Sequence, residues 1–148
     1  RNLKKKLRGW RENMVAEIKQ AIVHKLKELY PNHKRYTDDI PQKFTSPAFV
    51  IFQMNQDYSK RLNTKNKSRI SFDVAYFSDK PVTQIKSDCL AVQERLFREF
   101  DLVGTFRAIN KSAEIVDNVL HFTFDINYSE MKVESVIPMQ TQATNTNI

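Results

Sequence analysis

An α+β fold, with a mainly antiparallel sheet and two amphipathic helices on one of its faces, is predicted by three features of the sequence. Two stretches repeat apolar residues at three- and four-residue spacing, the period of a helix with one buried face. Several others alternate apolar and polar residues, the period of strands half-covered by a core. Turn-forming residues fall between them, in the order α-β-β-β-α-β-β followed by an extended C-terminal arm. The 148 residues, 41% apolar with ten Phe and five Tyr, make one domain. A chain of this length buries roughly 70% of the surface it exposes when unfolded.

The first helix is read from Met14, Ile18, Ala21, Ile22, Leu26 and Leu29, and it stops where Pro31 disfavours helical geometry at Tyr30. Residues 1–13 extend it or form a basic arm. Trp10 must be encoded by TGG, and an AGG codon at Arg11 would make 10–12 read TGGAGGGA, a ribosome-binding sequence just before Met14. The expected core therefore begins at Met14. Residues 35–41 read as a short strand running into a turn, and Pro41 and Pro47 bracket an irregular linker. A strand at 48–58 is apolar on both faces at first, which places it inside the sheet. The strand at 69–77 sets Ile70, Phe72, Val74 and Tyr76 against Ser71, Asp73 and Ala75. The turn-rich residues 62–67 join these two into a long hairpin with a basic tip.

The second helix is expected over 83–102, from Ile85, Cys89, Val92, Leu96 and Phe100, with Thr83 as N-cap and Gly104 as the stop. Strands at 106–116 and 119–128 follow, joined by Asp117 and Asn118, and the second sets Leu120, Phe122, Phe124, Ile126 and Tyr128 against His121, Thr123, Asp125 and Asn127. Met131, Val133, Ser135, Ile137 and Met139 then alternate with other residues as an added strand would. From Gln140 onward nothing is left to build a core. The expected organisation is a basic extension at 1–13, a domain at 14–130 and an arm at 131–148.

Charge is local. Residues 1–35 carry eleven Lys or Arg against three acids, and the rest carry thirteen against fourteen. A second basic cluster, Lys60, Arg61, Lys65, Lys67 and Arg69, has no acid within it. Such runs serve solubility or meet an acidic partner, protein or nucleic acid. No apolar stretch has the roughly 20 residues that a bilayer helix needs, so no membrane partner is expected. Lone Cys89 can form no internal disulfide, in keeping with synthesis in a reducing cytoplasm.

Chemistry is hard to find. With only Gly9 and Gly104 there is no glycine-rich phosphate loop, and His24, His33 and His121 are scattered, so neither a cofactor nor a metal is expected. Cys89 on an apolar helix face reads as a buried thiol. Glu130 and Lys132, with Asp73 and Asp125, have the look of a metal-dependent nuclease, but Glu17 and Lys19 repeat the spacing inside a helix. No catalytic residue is assigned. Nucleic-acid binding through the basic clusters is the better rival, although no recognition helix or stacking motif accompanies them.

The runs 18–22, 26–31 and 36–44, then Pro47, Ala48 and Phe49 and the run 72–77, together resemble the phage tail terminator family. These proteins belong to phages and phage-derived particles of Gram-positive bacteria, contractile-tail bacteriocins included. Lys43 stands where the pattern has a glycine. The resemblance implies a non-enzymatic virion protein at the head-proximal end of the tail, made in the host cytoplasm. It implies a ring, usually a hexamer, that caps the tail tube, stops its polymerisation and offers a surface to the head or neck. Its partners would be copies of itself, the tube protein, sheath and head-neck connector proteins, with incidental DNA contact; another neck or tail-completion protein is the neighbouring alternative. Lys60, Arg61, Lys65, Lys67, Arg69, Met131, Val133 and Ile137 are the expected partner-binding residues.

Overall fold

The structure is a computed structural model that describes residues 2–60 and 65–131. Helix α1 spans Asn2–Leu29 and α2 Val82–Glu99. The strands are β1 (Lys34–Thr37), β2 (Ala48–Lys60), β3 (Lys65–Phe77), β4 (Leu102–Val103), β5 (Phe106–Val116) and β6 (Val119–Met131). They form one sheet in the order β1-β2-β3-β6-β5-β4, antiparallel at every step except β1 against β2. The fold is α+β, as the periodicities predict.

Both helices cover the same face. Ile18, Ile22 and Leu26 of α1 and Cys89, Val92, Leu96 and Phe100 at α2 join Phe49, Ile51, Phe72, Val74, Tyr76, Leu120, Phe122, Phe124 and Ile126 of the sheet in one buried cluster. Fully burying one such large side chain stabilises the fold by about 1.5–3 kcal/mol. Aromatic rings dominate where α2 meets β6. Phe100 lies 5.6 Å from Phe122 and 5.5 Å from Phe124, and Phe97 meets Phe122 edge-on at 5.3 Å.

On the side away from the helices, Ala48, Val50 and Ala75 are still buried. Phe44, from the linker before β2, reaches across this side to Phe77 at 5.0 Å and Tyr36 at 6.4 Å, so the linker closes one end of the outer face. This explains why β2 begins apolar on both of its faces.

Several boundaries differ from expectation, each for a local reason. Helix α2 ends at Glu99, three residues early, because Phe100 turns out of helical geometry while its N–H still reaches the Leu96 carbonyl at 2.9 Å. Leu102 and Val103 are then free to pair with Arg107 and Phe106 as β4. Gly104 therefore forms the β4–β5 turn, at φ +63°, instead of stopping the helix. The N-cap is Pro81, not Thr83, with no side-chain cap. Strand β1 itself ends at Thr37 and the expected turn follows at once, because Asp38, at φ +65°, swings the chain away. Strand β3 starts at Lys65, inside the expected turn.

Single extra residues interrupt two ladders. The β2–β3 register shifts between Gln53 and Asn55, leaving Met54 over, and the β5–β6 register shifts between Ile109 and Ser112. In the second bulge Asn110 sits at φ +53°, a left-handed conformation that asparagine tolerates.

Candidate assembly surface

Strands β2, β3 and β6 run on past the helix-covered body. Strand β1 pairs with β2 only as far as Ile51, and the last β5 pairing with β6 toward this end is Ala108 with Ile126. Beyond those points β2, β3 and β6 pair with one another, out to Lys60 opposite Asn66 and Lys65 opposite Met131. The result is a three-stranded tongue.

The expected basic residues are divided by this geometry. Lys60 and Lys65 sit at the far end of the tongue, and Lys67 is half-buried. Arg69 is exposed and donates from Nε to the Asn127 Oδ1 at 3.1 Å, so its guanidinium is laid along the sheet rather than held at the tip. Pairing also brings acids into register: Asp57 stands opposite Arg69, and Glu130 opposite Asn66. The tongue is thus less purely basic than the sequence run, because antiparallel pairing joins distant segments. Arg61, Val133 and Ile137 lie outside the described residues, and of Met131 only its backbone place at the end of β6 is described.

The outer face carries a ladder of polar contacts that sequence reading did not find. Ser71 donates to Asp125 Oδ1 at 2.6 Å, and Asn110, aimed by the bulge, donates to the other carboxylate oxygen at 2.9 Å. His121 Nδ1 lies 3.0 Å from Asp73 Oδ2. The two carboxylates of the nuclease reading are therefore held by separate partners, and among the described residues no three His, Cys, Asp or Glu gather as a metal-ligand group. The only sequence signal for Asn110 was the five-residue gap between Ala108 and Ala113, both facing the helices, which breaks a two-residue period.

At the other end of the sheet, Tyr76 donates to Asp88 Oδ2 at 2.7 Å, and Ser78 donates to the same oxygen at 2.5 Å. His33 packs against both Phe49 and Tyr76, at 5.6 and 5.8 Å, and those two rings are 5.0 Å from each other. Burial pushes the Tyr76 hydroxyl far above its ordinary pKa, with Asp88 adding to the shift. Burial also holds His33 below its usual range, against the opposite pull of Asp79 and Asp88. Arg95 lies 4.8 Å over the Tyr30 ring. These groups fix α2 to the sheet and to the end of α1. Cys89 is buried, and burial raises its thiol pKa, which disfavours the reactive thiolate.

A family model described as phage tail terminator protein matches residues 17–138. The chain belongs to the phage tail terminator family. The match takes in both helices from Glu17 onward, the whole sheet and the tongue, and the family is one of structural proteins that complete the tail. No curated protein matches the chain. A tail terminator is a virion tail component that associates with other tail proteins, so its chemistry is that of surfaces. Among the described residues no helix is long and apolar enough to cross a membrane.

Proposed function

We propose that this tail terminator acts as one subunit of a closed ring, most naturally of six copies, that caps the growing tail tube. Capping removes the surface on which the next tube ring would nucleate, and the far side of the ring receives the head, the neck or the sheath. The observation that carries this reading is the family match over 17–138, which spans nearly all of a domain whose sheet, among the described residues, has open strand edges on both sides. A subunit with two different complementary edges makes a heterologous interface, which closes when the rotation between copies allows it.

Two other surfaces serve the same assembly. The tongue with Lys60, Arg61, Lys65, Lys67 and Arg69 meets an acidic surface on an adjacent tail protein, with DNA contact incidental. The arm from Met131 through Val133 and Ile137 is held by a neighbouring subunit or by the tube protein.

Imaging of native particles, with a matched gene deletion, tests the proposal. One ring of this subunit at the head-proximal end, and overlong tails without it, are expected. Copies stacked along the whole tube, or a single copy per particle, refute the ring. Tails of correct length that lack heads point instead to another neck or tail-completion role.

A further inference from the structure

Among the described residues the sheet has two open edges, and they lie at different heights. Measured by the rungs of β6, β1 covers β2 from the level of Val119 to that of Phe122, because Ala48 pairs with Phe77 and so with Val119, and Ile51 with Val74 and so with Phe122. Above the Met54 bulge, β2 runs straight from Asn55, level with Asp125, to Lys60, level with Glu130. Among the described residues nothing pairs with this outer edge. On the opposite side β4 covers only Phe106 and Arg107, near the top of β5, and below the Asn110 bulge β5 runs straight from Ser112, level with Thr123, to Val116, level with Val119. One free edge is high and the other is low.

We propose that successive copies of this chain join edge to edge, β2 from Asn55 on one copy against β5 at Ser112–Glu114 on the other, with each copy stepped down by four residues along the strands. The proposal rests on the ring reading and names the surface that closes it. Four strands, β2, β3, β6 and β5, lie between the two edges and alternate in direction, so a copy related by rotation about the ring axis meets its neighbour antiparallel.

The step follows from sterics and charge. A step of two residues would drive β1 of one copy against Ile115 and Val116 of the other, because β1 reaches up to the level of Phe122. Keeping the outer faces matched, as the two-residue pleat requires, leaves steps of four, six or eight. A six-residue step sets Asp57 opposite Glu114, a like-charge pair that destabilises a sheet. A four-residue step sets Asn55 opposite Glu114 and Asp57 opposite Ser112, and it leaves β4 of one copy just beyond Lys60 of the other.

Closure supplies an independent check. Four residues of rise are about 13 Å and four strands of width about 19 Å, so the strands would tilt by about 35° to the ring axis. Closed barrels tilt their strands by about 35–45°, whereas an eight-residue step would demand about 54°. The bulges then mark where each pairing segment starts.

The experiment uses the full chain carrying Asn55→Cys with Glu114→Cys, oxidised under assembling conditions; both positions are exposed and Cys89 is buried. The expected result is a disulfide-linked ladder ending at the ring size with loss of the monomer band, and far less linkage for Asp57→Cys with Glu114→Cys. Hydrogen exchange on the unmodified chain should show 55–57 and 112–114 gaining protection on assembly. If the unmodified protein forms a closed ring but both cysteine pairs link only at background level, the edge pairing is overturned and the ring stands. Protection of 112–114 in the monomer that disappears when 132–148 are deleted also overturns it, by assigning the edge to the chain's own arm. No closed oligomer of the unmodified protein, free or on its tube, refutes the ring reading itself.

Discussion

Replacing Gly104 by alanine puts a methyl group at a backbone φ of +63°, where the ideal Cβ position lies 3.1 Å from the Cβ of Ala21 on α1. Two penalties add. The left-handed conformation costs a residue with a Cβ about 1–2 kcal/mol. The contact is tighter than van der Waals packing, and Ala21 has no rotamer by which to retreat, so relief requires α1 to shift, at a further cost of about 1–2 kcal/mol. The total is about 2–4 kcal/mol, which for a chain of this size lowers Tm by roughly 5–15 °C. Urea unfolding of Gly104→Ala in the native background and in an Ala21→Gly background separates the terms. The second background removes the contact and keeps the backbone penalty, so Gly104→Ala should cost about 1–2 kcal/mol less there. Equal costs in the two backgrounds would show that the helix does not approach the turn as described, and an undisturbed Tm would refute both parts of the reasoning.

Reversing Lys65 and Lys67 to Glu should weaken assembly, most strongly at low ionic strength where screening is least, as read by sedimentation across a salt series. Lys111→Met removes the 3.1 Å bond from Nζ to the Phe97 carbonyl at the C-terminal end of α2 and should lower stability by about 1 kcal/mol in urea unfolding. His33, held below its ordinary 6.5 by burial, stays neutral in the folded chain while the unfolded chain takes up a proton. Stability from this group is therefore complete above pH 6.5 and falls as pH drops through the folded pKa, and His33→Phe should flatten that part of the stability-against-pH curve. Deleting 131–148 should leave the unfolding midpoint of the domain in place and abolish assembly; a collapse of the domain would mean that the arm folds back on its own body.

The sequence was most legible where one local signal acted alone. The pair Asp117 and Asn118, both at positive φ, makes the tight β5–β6 turn, and the strand ends on either side follow from it. It misled where two signals competed. Phe100 completes the helical spacing of Cys89, Val92 and Leu96 and is indeed buried, yet it leaves the helix to fill the space beside Phe122, and Gly104, which looks like a helix stop, serves a turn four residues further on. The outer-face contacts were hidden for a different reason. Ser71 and Asp125, or Asp73 and His121, meet only through the β3–β6 register, and one chain read in order carries no mark of which polar residues will share a rung. Arg69 shows the same effect, since its place in a basic run gave no sign that Asn127 would hold it.

The central ladder also governs timing. Strands β3 and β6 pair along their whole length, from Phe77 with Val119 to Lys65 with Met131, yet α2, β4 and β5 lie between them in the chain. The β2–β3 and β5–β6 hairpins close over short loops and can form on the microsecond scale, whereas their docking must wait for a long-range encounter. On a ribosome, which releases the chain from its N-terminal end, that encounter cannot happen until β6 has emerged. A nascent chain therefore has no completed sheet to offer a partner before β6 is made, so under the proposed capping role a growing tube meets only subunits whose β6 has emerged. On that proposal, tube length is insulated from premature arrest by half-made subunits.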